Sequence, residues 1–439
     1  MEIPKKIAFH TFGCKLNFSE TDAIARQFGD SYQQVDFKEI ADVYVINSCS
    51  VTEHANKKCR QLINKTAKMA PDAKIVVVGC YSQLKPEEIA AIDSVDLVLG
   101  TKEKFNIVSR LNESELQLDR TKIPSNKIHS CEIDDVSEYE SSYSLEGRTR
   151  SFLKVQDGCD YSCTYCTIPM ARGRSRNTQI ETIVQQAQFI ADEGVKEIIL
   201  TGVNIGDFGR STEEDFFGLV QALDTVDGID RIRISSIEPN LLTDQIIDYT
   251  AQSKRFVPHF HIPLQSGSDS VLRLMKRRYN TEMFAKRIEQ LHFMFDRPCI
   301  GIDVIVGSPG ETSEYFDECY DFLRNLDFAY LHVFTYSHRE NTEAVGIFPK
   351  VKEQDKKFRS ERLHDLSDRK KLLYYNSFVG TEQEVLFEAG NDAGMMSGFS
   401  RNYIKVCIPF NELMVNTVQK VRLLSLFPNG TVKGELTSL

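Results

Sequence analysis

Three cysteines fall within eight residues in the segment DGCDYSCTYC: Cys159, Cys163 and Cys166. The CxxxCxxC loop directly follows a strand-like run, SFLKVQ (151–156). Three thiolates on one tight loop can hold three irons of a cubane iron–sulfur cluster. Such a cluster usually takes four cysteines, so one iron is left open to bind another molecule. Open coordination positions mark reactive metal centres and closed ones mark structural centres. A zinc site is the competing reading, but zinc usually takes a fourth Cys or His at regular spacing, and none follows nearby. A chance grouping in a loop is the third. A second set, Cys14, Cys49 and Cys80, is dispersed, yet each ends or closely follows a strand-like run: KIAFHTFG (6–13), VYVIN (43–47) and KIVVVGC (74–80). Strand ends of an open parallel α/β sheet converge on one edge, where ligands bind. These thiols could therefore share a second cluster with one open iron; the alternative is ordinary packing of small buried cysteines. Cys59, Cys131, Cys299, Cys319 and Cys407 show no usable spacing.

The elements that must position these residues suggest an α/β protein. With 439 residues and roughly 150 residues per domain, about three domains are expected. Residues 1–130 alternate strands, including LVLG (97–100), with helices near 19–28, 53–69 and 86–92, which implies a parallel sheet. Residues 131–147 are expected to form an acidic linker, since CEIDDVSEYESSYSLE carries six acidic and no basic side chains. Residues 148–375 repeat strand and helix, with strands at 151–156, 197–204, 231–236, 259–265, 300–307 and 329–336. Six units suit a partial (β/α)6 barrel, whose chemistry sits at the C-terminal strand ends. Those ends carry Gly202, Asn204, Ser235, Ser236, Glu238, Gln265, Ser266 and Gly307. Residues 376–439 read as a small antiparallel β-barrel.

Lys+Arg is 53 and Asp+Glu is 63, a net charge of −10. That balance excludes a general nucleic-acid binder and requires any RNA contact to come from a local basic face. No apolar run is long enough for a membrane span. The amino-terminal stretch lacks the apolar segment of a signal peptide, so a cytoplasmic location is expected. Eleven cysteines would be reduced there, which favours metal chemistry over disulfides.

The CxxxCxxC loop after the first barrel strand, with Tyr165 before its last cysteine, resembles the radical S-adenosylmethionine (SAM) superfamily. The resemblance implies a 4Fe–4S cluster on Cys159, Cys163 and Cys166 whose open iron binds SAM. It places Tyr165, Gly202 and Asn204 (in TGVN), Ser235, Ser236, Gln265, Ser266 and Gly307 near SAM. TFGCKLNFSE, INSCSVTEHANKKCRQ and VVGCYSQ resemble the three cysteine motifs of the methylthiotransferase family, in which such a domain precedes a radical SAM barrel and a C-terminal TRAM barrel. Membership implies a second 4Fe–4S cluster on Cys14, Cys49 and Cys80, a tRNA anticodon stem-loop as partner, an external electron donor and a sulfur source. Lys15 after Cys14, the SVTEHANKKCRQ segment and PMARGRSR (169–176) resemble the branch acting on N6-threonylcarbamoyladenosine (t6A). Met170 stands where that branch usually has Tyr. The alternatives are the isopentenyladenosine branch, the branch acting on a ribosomal-protein aspartate, and a non-catalytic iron–sulfur RNA-binding protein.

RNA binding needs a positive local field. Arg148, Arg150, Lys154, Arg172, Arg174 and Arg176 flank the cysteine loop. Arg273, Lys276, Arg277 and Arg278 form a second group, and residues 350–371 a third with a local charge of +4 (nine basic, five acidic). Arg172, Arg174, Arg176, Arg277, Arg401 and Tyr403 are the candidate RNA contacts. Solvated faces are the alternative for each.

Overall fold

The computed structural model describes residues 4–116, 127–145 and 149–437; Arg148 lies outside them. Six strands build the amino-terminal sheet: β1 (Lys5–Thr11), β2 (Tyr32–Gln34), β3 (Val43–Ser48), β4 (Lys74–Gly79), β5 (Leu97–Leu99) and β6 (Ile128–His129). They pair in parallel in the order β2-β1-β3-β4-β5-β6. β3 and β4 are Val- and Ile-rich and buried almost throughout, as expected of parallel strands covered on both faces. The sheet therefore packs two apolar clusters, one around Val45 and Val76, the other around Ile46 and Val77.

The central unit contains β7 (Arg150–Lys154), β8 (Glu197–Thr201), β9 (Arg231–Ile234), β10 (His259–Gln265), β11 (Cys299–Val306) and β12 (Tyr330–Thr335). β7-β8-β9 and β10-β11-β12 are two parallel triplets, joined by a bridge between Ser236 and His261. The six strands form the expected partial barrel around a large apolar core that includes Leu200, Ile234, Ile262 and Val304. β13 (Glu382–Phe387), β14 (Met395–Ser400), β15 (Lys405–Pro409), β16 (Val418–Leu426) and β17 (Val432–Leu436) close a five-stranded barrel with its own core. No helix among the described residues is long and apolar enough to cross a membrane.

The acidic stretch expected to be a linker is seated on the barrel where it is described. Tyr139 donates to the Lys154 carbonyl at 2.7 Å, Ser142 meets Ser19, and Tyr143 bridges to Leu153. Its described acidic residues are exposed, while Tyr139, Ser142 and Tyr143 anchor it.

Candidate functional site

Cys14 follows β1, Cys49 follows β3 and Cys80 follows β4. These strands are neighbours in the sheet, and neighbouring strands lie about 4.8 Å apart. The three thiols consequently share one edge. Buried side chains shape that edge: Asn17 donates to the Phe12 and Ser48 carbonyls, and Asn47 donates to the Asn17 carbonyl. The turn before Cys80 requires glycine. Gly79 has φ +98°, and a Cβ there would lie 2.5 Å from Asn47 Oδ1 and the Ser48 carbonyl. Cys49 and Cys80 are buried, and Cys14 is exposed as a residue although its thiol is packed among protein atoms. Burial pushes the Cys49 thiol up to about 12 and raises Cys14, against the pull of nearby Arg172.

The second triad hangs from β7. Gln156 holds it in place: its Nε2 donates to the Gly158 carbonyl at 2.8 Å, and its Oε1 accepts from the backbone of Val203 and Asn204. Burial pushes Cys159 and Cys166 up to about 12. It also raises Cys163, against the opposing charge of Arg277. Arg277 Nη1 lies 3.0 Å from Cys163 Sγ, and its other end pairs with Glu238.

The thiols of each triad sense one another electrostatically. Neither triad is among the sets whose ligand atoms come within 4.8 Å of each other. A single zinc ion, with Zn–S near 2.3 Å, would hold thiolates about 3.8 Å apart. A cavity of about 240 Å³ opens beside Cys166. Val51 and Thr52, just beyond Cys49, form one wall; Tyr165, Cys166 and Gln265 form another. Tyr336, which lines it, has its buried Oη without a partner among the described residues. Such atoms are normally satisfied, so this one fits a polar cofactor.

The sequence-predicted cofactor residues separate into groups. Tyr165 and Gln265 line the cavity, with Gln265 in the left-handed region at φ +68°. Gly202 and Asn204 abut Gln156. Ser235 is buried at the end of β9, and Ser236 bridges to β10. Ser266 is buried, its hydroxyl accepting from Ser268. The space a side chain at Gly307 would occupy is filled by the stem of Lys356.

The structure places most of the residues expected to contact RNA in contacts within the chain. Arg172 and Arg176 are buried. Arg172 reaches Glu20 at 3.0 Å, Asp157 at 2.9 Å and Asn17 at 2.6 Å; Arg176 reaches Asp157 at 3.1 Å. Lys104 and Lys154 complete this network on Glu20. Burial opposes ionisation of Glu20 and Asp157, yet the surrounding cations hold both carboxyls well below their usual range. Arg277 is spent on Cys163 and Glu238. Arg401 donates to the Lys254 and Phe256 carbonyls, and Tyr403 stacks on Phe399 beside His259; both stitch the small barrel to the central one. Arg150 pairs with Glu388. Arg174 is exposed and remains available. A second clamp was also missed: Arg339 donates to the Ser50 carbonyl at 2.7 Å, tying the Cys49 loop to the end of the barrel. Met170 lines the rim near that clamp.

The partial barrel, its CxxxCxxC loop and the cavity beside it define a radical SAM enzyme. Family comparison agrees: residues 153–323 match the radical SAM superfamily, and residues 6–100 match the family described as uncharacterized protein family UPF0004. A solved radical SAM methyltransferase, TsrM of Kitasatospora setae with cobalamin and a [4Fe-4S] cluster bound, shares the fold. Its TM-score is 0.58 at 11% identity, covering 90% of this chain and 81% of that one. The threonylcarbamoyladenosine tRNA methylthiotransferase MtaB of Bacillus subtilis is 40% identical, covering 95% of this chain and 93% of its own. Its Thermotoga maritima counterpart is 34% identical, covering 98% and 96%. The tRNA-2-methylthio-N(6)-dimethylallyladenosine synthase of Sulfurovum sp. is 33% identical, covering 96% and 97%. The chain belongs to the radical SAM methylthiotransferase family.

Proposed function

We propose that the protein replaces the C2 hydrogen of t6A at position 37 of tRNA with a methylthio group, using SAM and two 4Fe–4S clusters. The observation that carries this reading is the pair of three-cysteine sets on two docked sheets, with Cys166 of one set lining a cavity that Val51 and Thr52, just beyond Cys49 of the other, also line. When bound, the cluster on Cys159, Cys163 and Cys166 would supply reductive cleavage of SAM, and that on Cys14, Cys49 and Cys80 would supply sulfur. The adenine C2–H bond is too strong for acid–base exchange, so the chain's task is positioning and exclusion of water. Gln156 fixes the height of the first loop against β8. Arg277 places a positive charge on Cys163 and stabilises its thiolate. Arg172 and Arg339 hold the amino-terminal edge over the barrel mouth. Arg174 offers an exposed cation for the RNA backbone. An external electron donor and a sulfur source complete the reaction, which is assigned to the cytoplasm.

The 40%-identical relative supports t6A as substrate, as does Lys15 after Cys14, where the chain resembles the t6A branch. Nucleoside mass spectrometry of tRNA from a deletion strain tests the assignment. Loss of 2-methylthio-t6A is expected; an unchanged level rejects it, and loss of a methylthiolated isopentenyladenosine instead moves the chain to the other branch.

A further inference from the structure

Within the basic group that follows β10, Arg277 is held by Cys163 and Glu238, and Lys276 pairs with Glu343 at 2.5 Å. Arg278 is placed differently. It is exposed, yet its guanidinium lies 3.9 Å over the ring of Tyr161 and donates to the Asp160 carbonyl at 3.3 Å. The ring beneath it is fixed: Tyr161 is buried, and its hydroxyl accepts from Asn240 Nδ2 at 2.9 Å. The chain around the pair is fixed as well. The Thr164 hydroxyl donates to the Leu274 carbonyl at 2.9 Å, and the Arg277 backbone donates to the Leu272 carbonyl at 2.9 Å. An exposed arginine is ordinarily a mobile side chain with rotamer entropy to lose on ordering. Here one face of the guanidinium rests on a buried ring and the other meets solvent. This flat cation stands on the loop of Cys159, Cys163 and Cys166, and Cys166 lines the cavity. Asp160 also accepts from the Ser175 backbone at 3.1 Å, which brings exposed Arg174 to the other side of the same loop.

Resting on the reading above, we propose that Arg278, stacked on Tyr161, is a platform for the unpaired RNA base next to the target nucleotide. To bring the adenine C2 into the cavity, the target nucleotide must leave the stack of its loop, and its neighbour loses a partner. Unstacked RNA bases are taken up on aromatic rings and arginine planes. Such a contact accepts any base, because every base has a π face. Arg174 meets a phosphate of the same strand, which sets the register of the RNA without reading its sequence. The competing partner for Arg278 is also a phosphate, which needs charge and no plane. Lysine supplies the charge without the plane, so Arg278→Lys separates the two.

The test uses reconstituted full-length enzyme and end-labelled stem-loop RNAs carrying t6A at position 37: one intact, one abasic at position 36 and one abasic at position 38. Fluorescence anisotropy reads Kd. With wild-type protein one of the abasic RNAs should bind about fivefold or more weakly, the worth of one base stack. In Arg278→Lys the intact RNA should lose about the same factor and the abasic penalty should shrink toward one. The salt slope should stay as in the wild type, since the charge is kept. A penalty ratio taken within one preparation is insensitive to losses of folded protein, and iron per chain reports whether the cysteine loop is intact. No abasic penalty in the wild type, or the same penalty in Arg278→Lys, overturns this proposal alone. Unaltered affinity in Arg278→Lys, with a salt slope lowered by about one in Arg278→Ala, overturns it in favour of a phosphate contact. No methylthiolated product from any RNA with the wild type overturns the parent reading and this one with it.

Discussion

Glu20 lies fully buried at the seam between the amino-terminal sheet and the barrel. Its carboxylate meets Lys104 at 2.7 Å, Lys154 at 3.2 Å and Arg172 at 3.0 Å. Replacing it by Gln keeps the shape and removes the charge, leaving these cations facing one another in a dry pocket. Breaking a buried pair costs about 3–5 kcal/mol, a large share of the 5–15 kcal/mol that is typical of a whole domain. The exposed Glu53, which sits 3.5 Å from Arg339 and is 54% accessible, supplies the contrast: Glu53→Gln should cost no more than about 1 kcal/mol. Urea titration with a fluorophore on each side of the seam measures both. The acid dependence follows from the same network. Folded-state pKa values of Glu20 and Asp157 are depressed, so their stabilisation is present above the ordinary carboxylate range near pH 4 and lost as pH falls below it. Glu20→Gln should flatten that acid limb. A loss below about 1 kcal/mol, or an acid limb identical to wild type, would falsify the role assigned to the network.

Substituting Cys14, Cys49 and Cys80 by Ala together should lower iron from about eight to about four per chain. Methylthio product should disappear while 5′-deoxyadenosine formation with SAM and dithionite persists. Gly158→Ala should abolish 5′-deoxyadenosine formation, because a Cβ there would lie 1.9 Å from the Arg174 carbonyl at φ +73°; normal yield would refute the steric argument. Thiols raised to about 12 at Cys49, Cys159 and Cys166 must lose protons to bind iron. Anaerobic cluster loading at fixed iron and sulfide should therefore increase from about pH 6.5 to about pH 8.5, with proton release measurable in weak buffer. Arg174→Ala should reduce the salt slope of RNA affinity by about one without loss of stability, whereas Arg176→Ala should destabilise the fold, as read by thermal melting.

The cysteine loop stands out because its three thiols are neighbours in sequence. The parallel sheet and partial barrel were legible because short apolar runs alternate with helices. The fate of the arginines was not, because charge alone does not reveal burial: the anion that captures Arg172 is Glu20, about 150 residues earlier, and they meet only after two sheets dock. The packing of the acidic stretch was hidden for a related reason. Its composition reads as solvated, yet Tyr139, Ser142 and Tyr143 pin it to β7. The polar residues of β10 to β12 did leave a signal, His259, His261 and Gln265 recurring at even spacing along one strand, which marks a face turned toward something other than a hydrocarbon core.

The sheet bearing Cys49 is fastened to the barrel through Arg172 and Lys154 on Glu20 and through Arg339 on the Ser50 carbonyl. Several fastenings along one seam restrain how far either layer can swing. The gap between the layers is then a gauge whose width is fixed when the chain folds, and whatever spans it is selected by length. Small-angle scattering should record the same profile before and after a bridging molecule enters.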